Sequence, residues 1–352
     1  MEEKALRLSA VFLMILTAVS FVLLPKLPAL HTWEVEAREE RIAEEEFAQS
    51  QVTMQNLKIK EQNEAAGAKG ELSIRLPEGV TGDQIAVSND YVTQTIRVEI
   101  PQADRTYFDS YPVLGNSDYI DGLSYTRQGE TGVIEVTTNK VYELQTEYDT
   151  QNFYFNFLTP HEVYDKVVVI DAGHGGRAPG ANKQGINEKE IDLEIVLQLK
   201  KILDEDDHNI GVYYTRTDDS NPTFDQRVQL ANKSDADLFI SVHNNSTNSG
   251  RMSSAHGTAV MYNEADESEL GSKRLAQICL EEVTGQLQSR NRGLVEGDSI
   301  YIIRTSKVPV ALIEVGFMTN QEELDRLRSE DYQKEAALGI YHAILRAFEE
   351  GY

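Results

Sequence analysis

Cysteine is almost absent from this sequence, whose 352 residues include a single one, Cys279. One thiol can form neither an internal disulfide framework nor a zinc site made of several thiolates. Cys279 lies in an apolar helical pattern with no glycine-rich turn and no histidine beside it. We therefore expect a small buried side chain, because a reactive cysteine needs a partly exposed, electropositive environment.

Positive charge is also scarce. The chain has 33 Lys and Arg against 58 Asp and Glu, which gives a formal net charge of -25 at pH 7. No cluster of basic residues interrupts this excess, so the chain would repel a phosphate backbone. Nucleic acid is therefore excluded as a partner, while the length allows two folded domains of ordinary size with linkers.

Long hydrophobic runs are limited to one, near the N-terminus. Residues 8–24 are apolar apart from three hydroxyl side chains, and they follow Lys4 and Arg7. The run exceeds the ~7–15 residues of a cleavable signal core and reaches the ~17 needed to span a bilayer. We predict a membrane anchor within residues 1–30, which holds the chain at the cell membrane with its bulk outside the cytoplasm. The alternative is a cleaved signal peptide and a secreted chain.

Acidic residues dominate the next stretch, residues 31–69. Seven glutamates lie between positions 34 and 46, and only Arg38 and Arg41 offset them. Strong helix formers without a sustained apolar heptad predict a solvated, partly helical linker. We expect no chemistry from this linker.

Residues 70–162 switch to an alternation of apolar and polar side chains, as in Ile96, Val98 and Ile100. Turn-forming residues such as those at 128–130 separate the alternating runs. The pattern predicts an all-β sandwich of about seven strands. No catalytic constellation occurs in it, so two interpretations stay open, a structural spacer and a binding module.

Residues 163–352 alternate apolar strands with amphipathic helices. This order predicts an α/β fold, a mostly parallel sheet with helices on both faces. Asn187, with Glu190 three residues later, is typical of a helix N-terminus and makes Glu188 the first helical residue. The predicted strands are 210–215, 238–243, 258–262, 300–303 and 310–314, and the predicted helices include 226–232 and 270–287.

Three of the predicted strands lead to residues that can carry chemistry. The apolar run 167–170 enters a glycine-rich turn that contains His174, another strand ends on His243, and Glu314 lies inside a buried run. Ligands bind at the carboxyl ends of strands in open α/β sheets, so these side chains should meet at one edge. A buried carboxylate is costly unless it is paired, binds a metal or keeps a raised pKa for catalysis. Two imidazoles and a carboxylate favour a catalytic zinc site with an open fourth position.

Each of these residues also has an ordinary structural interpretation. His174 could be a turn residue, His243 a core histidine, and Glu314 half of a buried ion pair with Arg216 or Arg304. All of these would have to coincide at one sheet edge, so the metal site is preferred. A nucleotide-binding loop at the glycine-rich turn is disfavoured because the G-x-G-x-x-G spacing is missing.

Four blocks of residues carry a family resemblance: 170–176 (IDAGHGG), 187–190 (NEKE), 241–245 (SVHNN) and 313–320 (IEVGFMTN). They resemble the catalytic domain of the zinc-dependent N-acetylmuramoyl-L-alanine amidases of the Amidase_3 type, bacterial enzymes that trim peptidoglycan. The resemblance covers residues 163–352, the whole α/β part, although Ala172 stands where the family usually has proline. Residues 70–162 more distantly resemble the AMIN-like β-sandwich modules that precede such domains and bind the cell wall.

The resemblance implies a ligand set and a reaction. It implies one zinc ion per chain held by His174, Glu188 and His243, with Glu314 as the catalytic carboxylate. Asn245 matches the family's asparagine after the second histidine and is either a substrate-binding residue or a loop cap. The implied reaction is hydrolysis of the amide between N-acetylmuramic acid and L-alanine of the stem peptide by zinc-activated water, which makes peptidoglycan the partner. The alternative is a non-catalytic, wall-binding regulator on the same fold.

Some neighbouring side chains leave alternatives open. Glu190 competes with Glu188 for the metal, and helix geometry lets only one of them face it; the resemblance favours Glu188. Asp171 would either orient a ligating imidazole or cap the turn. Arg216 and Arg227 are interpreted as structural.

The connection after the second histidine is short. Some members of the family carry an inserted helix there, and its carboxylate blocks the metal. Here residues 244–256 are a brief stretch rich in serine and asparagine. We therefore expect an open site.

Overall fold

A computed structural model describes residues 27–61 and 70–352 of the chain. The predicted membrane segment, residues 8–24, lies outside these ranges. Within them, no helix has both the length and the apolar composition that a membrane crossing requires.

The acidic stretch contains a long helix, α1, from Leu27 to Ser50. Its many glutamate and alanine residues favour a helix, as predicted. The chain then forms two short strands, β1 (Gln55–Asn56) and β2 (Lys60–Glu61), which pair with strands of the β-rich region that follows. This part of the chain is built into the folded structure, whereas we predicted a solvated linker.

The β-rich region consists of two five-stranded sheets that share one apolar core. Its elements are β3 (Leu72–Arg75), β4 (Ala86–Asp90), β5 (Thr95–Pro101), α2 (Arg105–Ser110), β6 (Leu114–Gly115), β7 (Ile120–Gln128), β8 (Thr131–Thr138), β9 (Glu143–Tyr148) and β10 (Asn152–Leu158). Neighbouring strands are antiparallel except for β2 beside β6. In β5 and β10 every second residue is buried, as the alternation in the sequence predicts.

The α/β region is organised around a six-stranded sheet in the order β14-β11-β15-β18-β16-β17. Its elements are α3 (Pro160–Val163), β11 (Lys166–Ala172), β12 (Asn182–Lys183), β13 (Ile186–Asn187), α4 (Glu188–Asp204), β14 (Ile210–Tyr214), α5 (Phe224–Ser234), β15 (Leu238–Asn245), β16 (Thr258–Tyr262), α6 (Ser272–Leu287), β17 (Asn291–Glu296), α7 (Tyr301–Thr305), β18 (Val310–Phe317), α8 (Gln321–Leu327) and α9 (Glu330–Glu350). All neighbouring strands are parallel except β16 and β18.

Helices cover both faces of this sheet. Side chains of α4, α6 and α9 form one apolar core with Val168 and Ile170 of β11, while α5 and α7 form a second core with Val167 and Val169. Strand β11 is therefore buried on both faces, which explains its continuous apolar run. The α/β fold predicted from the sequence is confirmed. Cys279 is buried in the first core, where burial raises the pKa of its thiol to about 12.

One element differs in type from the prediction. We predicted a strand at 300–303, but these residues enter helix α7, and the strand of this part of the chain is β17, from Asn291 to Glu296. Ile302 and Ile303 pack against the sheet from α7. An apolar run of this length cannot be distinguished from a buried helical turn by periodicity, and β17 carries few apolar residues because it is an edge strand.

The β-rich and α/β regions are joined by a hydrogen-bonded carboxylate. Glu143 of β9 accepts hydrogen bonds from the hydroxyls of Tyr91 (2.8 Å) and Tyr213 (2.6 Å), and Tyr213 belongs to β14 of the α/β sheet. The rings of Tyr91 and Tyr213 pack edge to face with centroids 4.9 Å apart. Glu143 therefore satisfies a hydroxyl from each region.

Replacing Glu143 with alanine should lower the free energy of unfolding by about 1–3 kcal/mol, because both partly buried hydroxyls would lose their acceptor. Glu147→Ala is the matched control, since Glu147 is exposed on the same strand. Urea unfolding followed by circular dichroism measures both. Equal midpoints for the two variants would contradict the proposed role of Glu143.

Candidate metal centre

The predicted site residues meet at the carboxyl edge of the sheet. His174 follows the end of β11, His243 lies near the end of β15, and Glu314 is its register partner in β18. Glu188 is the first residue of α4, whose N-terminus begins at the same edge. Parallel neighbours place their carboxyl ends together, so the order of the strands brings these side chains into contact.

The two imidazoles face one carboxylate oxygen. Oε1 of Glu188 lies 3.1 Å from Nε2 of His174 and 3.2 Å from Nδ1 of His243. The ring centroids are 4.9 Å apart, and the ring planes are nearly perpendicular. In a tetrahedral zinc site with bonds of about 2.0–2.1 Å, ligand atoms lie roughly 3.3 Å apart. The donor set and its spacing therefore fit a zinc ion.

Backbone groups fix the Glu188 carboxylate. The amide of Asn244 donates to Oε1 (3.0 Å) and the amide of Ala181 donates to Oε2 (2.7 Å). Glu190 instead accepts a hydrogen bond from the side chain of Asn187. The structure thus places Glu188, and not Glu190, beside the imidazoles.

Two glycines allow the close approach of these groups. A Cβ on Gly173 would lie 2.3 Å from the His243 ring, and a Cβ on Gly180 would lie 2.6 Å from both Glu188 and His174. His174 itself has a left-handed φ of 58°, a conformation that is strained for a residue with a side chain. The turn is thus shaped to bring His174 against Glu188.

A buried ion pair supports the turn that carries His174. Asp171 accepts hydrogen bonds of 2.6 Å from Arg227, Thr215 and Ser241. Burial opposes ionisation of Asp171, but Arg227 and the other polar neighbours outweigh it and lower its pKa to about 2. Among the described residues, Asp171 forms no hydrogen bond to either imidazole, so it neither orients a ring directly nor caps the turn alone.

Both arginines bind the backbone of the turn. Arg227 donates to the carbonyls of Ala172 (2.7 Å) and His174 (2.6 Å). Arg216 donates to the carbonyls of Ala172 (2.9 Å) and Gly173 (2.6 Å). These contacts agree with the structural role that we expected for the two arginines.

Asp192 is a residue of the site that the sequence analysis missed. It lies one helical turn after Glu188, is fully buried, and accepts a hydrogen bond of 2.7 Å from the Asn244 side chain through Oδ1. Its Oδ2 has no hydrogen-bond partner in the described structure. Burial, with the charge of Glu188, raises its pKa well above the ordinary value. The signal was a second acid four residues after Glu188 on the apolar face of α4.

Glu314 faces the same pocket and has an unpartnered oxygen. Its Oε2 is buried without a hydrogen-bond partner, and no ion pair links it to Arg216 or Arg304 in the described ranges. Burial, and then the charge of Glu188, raises the pKa of Glu314 to about 8. Asn245 also lines the pocket, and no described residue makes a hydrogen bond to its side chain.

The pocket has a volume of about 420 Å³ and is covered by α1. Val35, Glu36 and Glu39 of α1 line it, and Oε2 of Glu39 lies 3.0 Å from Nδ1 of His174. Burial opposes protonation of His174, but Glu188 and Glu39 raise its pKa well above the ordinary value. Our expectations of an open site and of a linker without chemistry were therefore wrong. The connection 244–256 contains no Asp or Glu, and the additional carboxylate comes from a distant part of the chain.

The fold and the site define a class of protein. Two imidazoles and two carboxylates around a pocket at the carboxyl edge of an α/β sheet are typical of metal-dependent hydrolases. The family model of the N-acetylmuramoyl-L-alanine amidases, Amidase_3, matches residues 168–346, and the chain belongs to this family. The match begins within β11, so α1 and the β-rich region lie outside it.

Individual relatives agree with this assignment. The chain is 40% identical over 179 residues to the uncharacterized protein YqiI of Bacillus subtilis (strain 168), covering 51% of this chain and 83% of that protein. It is 32% identical over 199 residues to the germination-specific N-acetylmuramoyl-L-alanine amidase of the same organism, covering 53% and 81%. The crystal structure of an N-acetylmuramoyl-L-alanine amidase from Clostridium difficile 630 has 33% identity and a TM-score of 0.50, covering 53% of this chain and 98% of that one.

Gly180→Ala should weaken zinc binding by about 10- to 100-fold, because the added methyl group would push Glu188 and His174 apart. Gly185→Ala is the matched control, since Gly185 also has a positive φ but has no atom within 4 Å of the added Cβ. Both variants should lose about 1–2 kcal/mol of stability from backbone strain. Competition with a chromogenic chelator measures zinc affinity, and equal affinities in the two variants would argue against this packing.

Proposed function

We propose that the α/β region hydrolyses the amide bond between N-acetylmuramic acid and L-alanine of the peptidoglycan stem peptide, using one zinc ion held by His174, Glu188 and His243. The observation that carries the proposal is the convergence of these donors on one point, beside Glu314, in a member of the amidase family. A bound zinc ion would supply a polarised carbonyl and a water of lowered pKa.

Glu314 is suited to transfer a proton during hydrolysis. It lines the pocket, and its buried Oε2 makes no hydrogen bond to another described residue, so the carboxylate is free to accept a proton from the attacking water. The same carboxyl group would then donate that proton to the leaving nitrogen of L-alanine. A pKa raised to about 8 by burial keeps both protonation states accessible near neutral pH.

The remaining residues of the site hold these groups in place. Asn244 connects Glu188 to Asp192, while the Arg227–Asp171 pair fixes the turn that presents His174. Asn245 is available to donate a hydrogen bond to substrate because no described residue engages its side chain.

Two further assignments rest on the sequence. Residues 70–162 would act as an AMIN-like sandwich module that binds the wall, and residues 1–30 would anchor the chain at the membrane with its bulk outside the cytoplasm. The proposed anchor rests on the length of the apolar run at 8–24. A non-catalytic regulator is disfavoured, because such a protein has no need of the buried, unpaired Glu314.

Glu314→Gln should reduce the rate of amide hydrolysis by about 10²- to 10⁴-fold, because the amide cannot transfer the proton. The release of free L-alanine amino termini from purified peptidoglycan measures the rate. Zinc content should match that of the wild type, since the substitution conserves shape and leaves the three proposed ligands intact. Glu322→Gln, at an exposed position of α8, is the control. A Glu314→Gln variant with wild-type activity would refute the catalytic role.

Zinc should also stabilise the fold through its ligands. At a free concentration 100 times the dissociation constant, it should add about 2.7 kcal/mol to the free energy of unfolding. Thermal unfolding of chelator-treated protein, with and without added zinc, measures the effect. The shift should persist in Glu314→Gln and disappear in His243→Ala. A shift of equal size in His243→Ala would place the zinc elsewhere.

A further inference from the structure

One face of α1 makes the contacts with the α/β region. Glu36, Glu39, Glu40, Ala43 and Glu46 follow the spacing i, i+3, i+4, i+7 and i+10, which places them along a single side of the helix. Ala43 is 2% exposed, and the four glutamates each contact the α/β region. The contact is therefore specific but mostly polar, unlike the apolar faces of α4, α6 and α9.

Two of these glutamates bind the first turns of helices. Glu36 accepts a hydrogen bond from the amide of Tyr301 (2.8 Å), the first residue of α7, and Glu40 accepts one from the amide of Phe224 (2.6 Å), the first residue of α5. Such amides have no partner within their own helix, and the helix dipole favours a negative charge there. Burial nevertheless raises the pKa of both glutamates, so holding α1 in place has a desolvation cost.

A third anchor lies toward the C-terminal end of α1. Glu46 accepts hydrogen bonds from the amide and the Nε of Arg177 (3.0 and 3.1 Å) and from the side chain of Asn221 (2.9 Å). Glu45 contacts the same guanidinium at 3.1 Å. Arg177 is half exposed, so this anchor can be broken without opening a core.

Between the anchors, α1 occupies the entrance to the site. Val35, Glu36 and Glu39 line the pocket, and Glu39 contacts His174 directly. A glycan strand continues on both sides of the sugar that carries the stem peptide, so the substrate needs an open groove. The helix and such a strand cannot occupy the same space.

We propose that α1 is an autoinhibitory cover of the amidase site, with Glu39 as its contact on His174, and that peptidoglycan is cleaved only when α1 has moved away. This inference rests on the proposed function. A carboxylate on the second nitrogen of a metal-ligating imidazole orients the ring and strengthens the metal bond. The closed cover therefore also retains the metal, and by linkage the metal favours the closed cover.

The connection after α1 allows this movement without loss of the helix. The strands β1 and β2, which follow Ser50, pair with β7 and β6 of the β-rich region. They hold the C-terminal end of α1 near the α/β region when the polar face is released. Reclosure is then an intramolecular event with a high effective concentration.

The experiment compares full-length variants on the same helix. Glu46→Ala removes a distal anchor and leaves the site itself untouched, whereas Glu44→Ala, at an exposed position with no hydrogen bond in the described structure, is the matched control. Ala43→Arg is a second variant that displaces α1 by steric overlap at its most buried position. Hydrogen exchange of the amides of residues 36–50, zinc release to a chelator and the initial rate on purified peptidoglycan are measured for each.

Glu46→Ala and Ala43→Arg should exchange at least about tenfold faster in α1, release zinc faster and cleave peptidoglycan faster than Glu44→Ala, since a lost charge-assisted hydrogen bond shifts an equilibrium by about that factor. Faster exchange with an unchanged cleavage rate in an active enzyme would overturn the cover while leaving the proposed function intact. If no form cleaves peptidoglycan, the proposed function fails. The cover is then judged by zinc release alone, and equal release from all variants would reject it.

Discussion

The structure of the site depends on one carboxylate oxygen. Oε1 of Glu188 lies between Nε2 of His174 and Nδ1 of His243 and also accepts the amide of Asn244. Two imidazoles can approach a single point at this distance only when a negative charge or a metal ion separates them. The buried Asp171–Arg227 pair, the glycines of the turn and the first turn of α4 all serve to maintain this arrangement.

The residues that the sequence revealed are those whose signal is local. His174, His243 and Glu314 each lie at or near the end of an apolar run, so the rule that parallel strands end at one edge was enough to bring them together. The family match confirms the prediction of an N-acetylmuramoyl-L-alanine amidase. The helix start at Glu188 and the limits of β16 were also correct to the residue.

What the sequence did not reveal depends on contacts between distant residues. Glu39 is separated from His174 by 135 positions, and nothing in the acidic pattern of α1 distinguishes a solvated face from one that binds amides. Asp192 was missed because an acid on an apolar helix face was not compared with its neighbour one turn earlier. The exchange of a strand for helix α7 arose because a short apolar run fits either structure.

The buried position of Cys279 has a practical consequence. The only sulfhydryl of the chain lies within a core and has a pKa of about 12, so alkylating dyes and spin labels would not react with it in the native state. A cysteine introduced on the solvent side of a surface helix would then be the sole reactive group. The protein is thus already suited to site-directed fluorescence and electron resonance without removal of any native residue.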